Sequence, residues 1–226
     1  TINLSWNAST DNVAVTGYIV SRNGSQVGTT SAPGFADTTG LTAGTLYTYT
    51  VAARDAAGNV SAYSTSAGAT IPDTSAPTTP TNLAASAAGA TTINLTWTAS
   101  TDNVGVTEYI VKRNGTEVGR PTSASFADTT GLLSGLTYSY TVTARDAAGN
   151  VSSASASVDA TTVDTIAPSA PTGVVAIAAT GAATINLTWT VSTDNVGVTA
   201  YDIQRNGTPV GTSVAPSFAD TGLSDV

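Results

Sequence analysis

Apolar and polar residues alternate along several short segments of the chain, as in β-strands that bury one face. Ile2, Leu4 and Trp6 alternate with polar residues, and residues 47–51 show the same period of two. An Asn-Gly pair at positions 23–24 follows an apolar run and predicts a hairpin, because both turn positions favour residues that tolerate positive φ. A Ser/Ala-rich segment over about residues 60–70 predicts a further, weak strand, and no capped segment has the helical period. The pattern therefore predicts an all-β fold.

The whole pattern returns after about 91 residues. One motif ends at Trp6, Trp97 and Trp189, which are spaced 91 and 92 residues apart. This period is too long for a solenoid repeat and fits a small domain with its own core. We therefore predict three domains, and their expected bounds are 1–72, 73–163 and 164–226.

The terminal repeats are shorter than the middle one. The first lacks the opening strand expected near residues 80–87 of the second, and the third stops before its last two strands. Half a sandwich leaves unpaired strand edges and an open core. The simplest interpretation is a segment of a longer array, and a second hypothesis is that a neighbouring chain supplies the missing strands.

The chain resembles the fibronectin type III domain of secreted bacterial proteins. Residues 41–47 and 132–138 are similar to its tyrosine corner, and each repeat carries the tryptophan of its second strand. The resemblance implies tandem immunoglobulin-like β-sandwiches. It also implies structural core roles for five aromatic residues: Trp6, Trp97, Trp189, Tyr47 and Tyr138.

Composition and charge exclude several classes of site and partner. The 226 residues carry a net charge of −8 and include no cysteine or histidine. Thiolate or imidazole zinc sites and Ser-His-Asp machinery are therefore excluded. An acidic chain repels phosphate backbones, so we expect no nucleic-acid partner. No apolar run reaches the ~20 residues of a membrane span, so we expect no membrane insertion.

The sequence offers no convincing catalytic or cofactor-binding residue. Its two glutamates, Glu108 and Glu117, correspond to Gly17 and Gln26 in the first repeat, so solvated strand positions explain both. A sugar-binding platform needs exposed aromatic residues, but only Tyr63 lies outside the repeated aromatic positions. We therefore predict that the chain is not an enzyme and does not itself bind sugar.

Calcium is the one cofactor that the sequence leaves open. In a sandwich of this type, Asp73, Asp102 and Asp146 approach one pole of the second repeat, and Asp37 approaches the same junction. Carboxylates are suitable calcium ligands. Aspartate is equally the usual residue of Asx-turns, so a purely structural interpretation stays open.

The leading functional hypothesis is a non-catalytic structural array in an extracellular or surface-attached bacterial protein. It would act as a stalk, spacer or filament body, with neighbouring repeats or identical subunits as partners. An alternative is the accessory region of an extracellular polysaccharide-degrading enzyme, chitinase- or cellulase-like, whose catalytic domain lies outside this chain. Flanking domains would then contact the polysaccharide. A third hypothesis is a protein-binding adhesin.

Overall fold

A computed structural model describes residues 1–223, and all the regular elements in that range are β-strands, which confirms the all-β prediction. The first six strands are β1 (Ile2–Ser5), β2 (Val15–Arg22), β3 (Ser25–Thr30), β4 (Gly34–Asp37), β5 (Leu46–Asp55) and β6 (Ala67–Thr70). They form a two-stranded sheet, β1-β4, and a four-stranded sheet in the order β3-β2-β5-β6.

The next seven strands repeat this arrangement and add an opening strand. They are β7 (Thr81–Gly89), β8 (Thr92–Thr98), β9 (Val106–Arg113), β10 (Thr116–Gly119), β11 (Ser125–Asp128), β12 (Thr137–Asp146) and β13 (Val158–Thr161). Their sheets have the orders β11-β8-β7 and β10-β9-β12-β13.

The last five strands follow the same order along the chain. They are β14 (Thr172–Ala178), β15 (Ile185–Thr190), β16 (Tyr201–Arg205), β17 (Thr208–Ser213) and β18 (Ser217–Asp220). They form the sheets β14-β15-β18 and β16-β17.

The backbone divides into two compact units. The first contains Thr1–Pro80, Ala99–Tyr109 and Thr143–Ala154, and the second contains Thr81–Thr98, Ile110–Val142 and Ser155–Val226. The three-domain boundaries expected from the repeat stay a prediction.

The Asn-Gly hairpin turns have the conformation that the sequence predicts. Asn23 has φ 50° and Gly24 has φ 80°, and the strands they join are in antiparallel register, with Arg22 opposite Ser25. The Asn23 side-chain oxygen also accepts a hydrogen bond from the Thr48 amide at 2.9 Å. The turn is therefore fixed both by its backbone conformation and by a contact with β5.

Each compact unit contains a core of alternating strand residues. In the first unit, Ile2, Val20 and Tyr49 are buried together, with Trp6 packed against them. In the second unit, the fully buried side chains include Ile93, Leu95, Val111, Tyr140 and Val142. These residues lie on the faces that the period-two pattern assigns to the interior.

A serine-bridged segment replaces part of one predicted strand. The sequence favours a strand over about residues 60–70, but β6 begins only at Ala67. In the preceding segment, the Ser61 amide donates to the Ala53 carbonyl at 2.9 Å, and the Ala53 amide donates to the Ser61 hydroxyl at 2.9 Å. Ser64 pairs with Val51 in the same way. Because a hydroxyl takes the acceptor role of a backbone carbonyl, the segment pairs with β5 without being a regular strand.

Candidate functional site

Three aspartates approach one another within the first compact unit. Asp73 lies before β7, Asp102 follows β8, and Asp146 ends β12. One carboxylate oxygen from each lies within 4.8 Å of the other two. The structure therefore brings together three of the four residues that the sequence singles out as calcium candidates.

Local hydrogen bonds fix the Asp102 carboxylate. Its Oδ2 accepts from the backbone amides of Val104 and Gly105, each at 2.9 Å. This is an Asx-turn, which orients a short carboxylate within its own loop. Only one of the two carboxylate oxygens is used by the turn.

The Asp73 carboxylate is held in a similar, one-sided way. Its Oδ1 accepts from the Ser75 amide and from the Asn103 side-chain amide, each at 3.1 Å. In both aspartates the second oxygen is buried. Asp73 Oδ2 and Asp102 Oδ1 have no hydrogen-bond partner among residues 1–223. An unpaired buried acceptor is costly, so these two oxygens are suited to a cation.

Asp146 is the most buried of the three, with 3% of its surface exposed. Its Oδ1 accepts from the Asn150 amide at 2.8 Å, and its Oδ2 accepts from the Asn150 side chain at 2.7 Å. Burial alone would raise the pKa of Asp146, but these hydrogen bonds outweigh it and lower the pKa. The group is therefore ionised at neutral pH, as a cation ligand must be.

The fourth candidate, Asp37, is not in this group. It is 2% exposed, and its Oδ2 accepts from Arg22 Nη1 and from the Tyr49 hydroxyl, each at 2.7 Å. Burial opposes ionisation of Asp37, but the hydrogen bonds from Tyr49, Arg22 and the Thr39 amide lower its pKa. Its charge is thus balanced by an arginine within the same repeat.

The same buried ion pair is present in the second repeat, where Asp128 Oδ2 accepts from Arg113 at 2.6 Å and from Tyr140 at 2.9 Å. The sequence interpretation missed it. The available signal was an arginine before each Asn-Gly turn and an aspartate 15 positions later, as in Arg22 and Asp37.

The remaining candidates lie in structural positions. Trp97, Tyr47 and Tyr138 are buried, whereas Trp6 and Trp189 are half-buried. Tyr63 is 52% exposed.

The two glutamates form ion pairs near the surface. Glu108 pairs with Arg145 at 3.2 Å, and Glu117 pairs with Arg120 at 2.8 Å.

Sequence comparison identifies the family. Residues 76–161 match the model of the fibronectin type III domain. The motifs of this segment recur on both sides of it. The chain is therefore a region of tandem fibronectin type III repeats with immunoglobulin-like β-sandwich folds.

The chain is also similar to parts of several bacterial enzymes. It is 46% identical to Exoglucanase B and 50% identical to Exoglucanase A, both of Cellulomonas fimi. Each alignment covers 98% of this chain, but only 21% of the first protein and 27% of the second. Chitinase A1 of Niallia circulans is 50% identical over 71% of this chain and 24% of its own length.

The chain thus spans about a quarter of the length of each of these three relatives. Because the matched segment is of the fibronectin type III family, it is the non-catalytic part of those enzymes, and the prediction that this chain is not an enzyme is confirmed. Within residues 1–223, no helix is long and apolar enough to cross a membrane.

Proposed function

We propose that this chain is the fibronectin type III region of a secreted bacterial protein that degrades a polysaccharide, and that it acts there as a non-catalytic spacer. The main support for this proposal is that 98% of the chain aligns with one part of each of two exoglucanases. This favours the accessory-region alternative and keeps the spacer role of the leading hypothesis. Direct contact with the polysaccharide then belongs to flanking domains.

The buried groups of the structure support a spacer. Two deeply buried carboxylates, Asp37 and Asp128, are each held by an ion pair with an arginine and by a hydrogen bond from a tyrosine hydroxyl. General acid–base hydrolysis of a glycoside instead needs two carboxylates with separated pKa values flanking a cleft. The repeated ion pair strengthens each domain and does not create a reactive site.

The experiment compares the natural full-length protein with a variant from which residues 73–163 are removed in frame. We expect unchanged turnover of a soluble oligosaccharide and slower release of sugar from insoluble cellulose or chitin. The 226-residue chain alone should release no sugar from either polymer. Sugar release by the chain alone would contradict the proposal. Continuous fibres of the natural protein in electron micrographs would favour the filament hypothesis instead.

For the acidic cluster, we propose that Asp73, Asp102 and Asp146 bind calcium. The supporting observations are the 4.8 Å grouping of their oxygens and the two buried oxygens without a partner, Asp73 Oδ2 and Asp102 Oδ1. Calcium takes oxygen ligands in flexible geometries, which suits carboxylates supplied by a loop, a strand end and a linker. Binding would join the segment before β7 to the pole of the second repeat.

Isothermal titration of the chain with calcium chloride tests this site. Asp146→Asn removes one ligand charge, so we expect calcium affinity to fall at least tenfold. Asp55→Asn is the matched control, because Asp55 makes the same two bonds with Asn59, at 2.8 and 2.6 Å, and lies in no such cluster among the described residues. Equal effects of the two substitutions, or no heat of binding in the unmodified chain, would refute the site.

A further inference from the structure

Two turns in the structure each contact the side chain of a valine through a glycine. Gly44 has φ 71°, and a Cβ placed on it would lie 3.0 Å from both γ-methyl groups of Val104. Gly135 also has φ 71°, and a Cβ placed on it would overlap a γ-methyl group of Val196. Both contacts are possible because glycine has no side chain, and glycine also tolerates this left-handed backbone conformation.

The tyrosine corners hold these two turns, residues 41–44 and 132–135, which we call the glycine turns. The Thr42 amide donates to the Tyr47 hydroxyl at 2.9 Å, and the Leu133 amide donates to the Tyr138 hydroxyl at 2.8 Å. Both tyrosines are buried. The glycine turns are therefore preformed surfaces anchored to a domain core.

An asparagine precedes each of the two valines and makes a second contact. Asn103 Nδ2 donates to Asp73 Oδ1 at 3.1 Å. Asn195 Nδ2 donates to Asp164 Oδ1 at 3.2 Å and to the Ser134 carbonyl at 3.0 Å. Each Asn-Val pair thus recognises two features of one partner, a glycine turn and the aspartate of the linker that follows it.

The chain contains a third pair of this kind, Asn12 and Val13, in the equivalent position of the first repeat. Its loop has the same local structure as the other two. Asp11 Oδ2 accepts from the Val13 amide at 3.0 Å and from the Ala14 amide at 3.1 Å, as Asp102 does with its own loop amides. Val13 is nevertheless 84% exposed, compared with 47% for Val104 and 60% for Val196.

We propose that Asn12 and Val13 form a docking surface for the glycine turn and linker aspartate of another fibronectin type III repeat. Both glycine turns of this chain already contact a valine, so they do not offer a vacant surface. The partner is therefore a further repeat, and two observed contacts define its chemistry: a Leu-x-x-Gly turn followed by an aspartate in the linker. The inference goes beyond the proposed spacer function and rests on it only in taking the partner to be a repeat of the same family.

The test places such a repeat in front of the intact chain. A copy of residues 73–183 is fused before Thr1, because Thr184 and Thr1 begin the same motif and the fusion keeps the natural spacing. Hydroxyl-radical footprinting then compares Val13 with Val214, which is 86% exposed and belongs to no Asn-Val pair. We expect the oxidation rate of Val13 to fall in the fusion to that of Val196, which is 60% exposed against 84% for Val13, a decrease of less than twofold, whereas Val214 reacts at its original rate. An unchanged rate for Val13 would overturn the proposal.

A variant of the fusion identifies the contact. Gly→Ala at the copy of Gly135 adds a methyl group where the valine packs, so the oxidation rate of Val13 should return to that in the unfused chain. Persistent protection in this variant would show that the glycine turn is not the partner, and would overturn the proposal. If Val13 of the unfused chain becomes more protected as the concentration of that chain rises, the surface mediates self-association, and the proposal is overturned. None of these readouts depends on polysaccharide hydrolysis, so failure here is distinct from failure of the proposed function.

Discussion

Substitution of Asp128 by alanine should destabilise the second repeat strongly. Asp128 is 1% exposed and lies at the end of β11, opposite Ile93 of β8. Its carboxylate accepts bonds from Arg113 at 2.6 Å and from the Tyr140 hydroxyl at 2.9 Å. Tyr140 is fully buried, so its hydroxyl cannot turn to solvent when the carboxylate is removed.

The expected loss of unfolding free energy follows from the Arg113 charge that remains when Asp128 is removed. Removing one member of a buried ion pair costs about 3–5 kcal/mol, because the partner charge is left uncompensated. Arg113 retains 18% side-chain exposure and its contact with the Tyr138 ring, which places the expected loss towards the lower end of that range. With a urea slope of about 1–2 kcal/mol per molar for a small domain, a loss of about 3 kcal/mol lowers the unfolding midpoint by roughly 1.5–3 M.

The assay follows Trp97, which is 7% exposed and lies on β8. Trp6→Phe and Trp189→Phe leave it as the only tryptophan, so its fluorescence during urea unfolding reports the second repeat. Asp159→Ala is the matched control, since Asp159 is an exposed aspartate on a strand of the same repeat. We expect the control to change the free energy of unfolding by less than about 0.5 kcal/mol. Equal midpoints for the Asp128 and Asp159 variants would refute the role of the ion pair.

Two further predictions concern a close glycine contact and a buried tyrosine. A Cβ on Gly119 would overlap the Phe126 ring, so Gly119→Ala should cost about 1–3 kcal/mol of unfolding free energy in the same fluorescence assay. Gly89→Ala meets no neighbouring atom and should be nearly neutral, and a larger loss there than at Gly119 would contradict the packing argument. Burial and the hydrogen bond to the Asp37 carboxylate raise the pKa of Tyr49 from 10.0 to about 12. Because the unfolded chain releases this proton first, the stability gained below pH 10 is lost as the pH rises from 10 towards 12. Subtracting the ultraviolet titration of Tyr49→Phe from that of the unmodified protein gives the titration curve of Tyr49. A midpoint near pH 10 in that curve would contradict the raised pKa.

Much of the fold follows from local sequence signals. The strand containing Ile2 and Leu4 shows its period of two directly, and the Asn23-Gly24 turn has the positive φ angles that its residue types favour. Such features depend on neighbours in the chain, so no tertiary information is needed to predict them.

Features set by distant partners were harder to predict. The sequence predicts Asp37 as a calcium candidate, whereas the structure pairs it with Arg22 of β2. A carboxylate at a strand end can turn to the surface or to the core, and only a buried cation decides between them. The gathering of Asp73, Asp102 and Asp146 was expected from the family topology, because no local pattern connects residues so far apart in sequence.

The length of β6 shows a third limit. Residues 60–70 have the small and β-branched composition of a weak strand, but Ser61 and Ser64 pair through their hydroxyls. The recurrence of Ser152 and Ser155 at equivalent positions, bonded to Ala144 and Val142, was the available signal. Serine is common in this chain, so the spacing alone does not distinguish these positions from other serines.

The serine-bridged segment also bears on how an array avoids aggregation. Many similar domains on one chain bring many sheet edges to a high local concentration, and a regular edge invites pairing with another strand. Residues 61–66 are exposed, but the amides of Ser61 and Ser64 are already bonded inward to β5. A strand of another repeat that approaches this edge therefore finds an irregular backbone and not a continuous row of free amides and carbonyls. In the first two repeats, the hydroxyl pairing thus leaves an irregular sheet border along this segment, which disfavours strand pairing between crowded repeats.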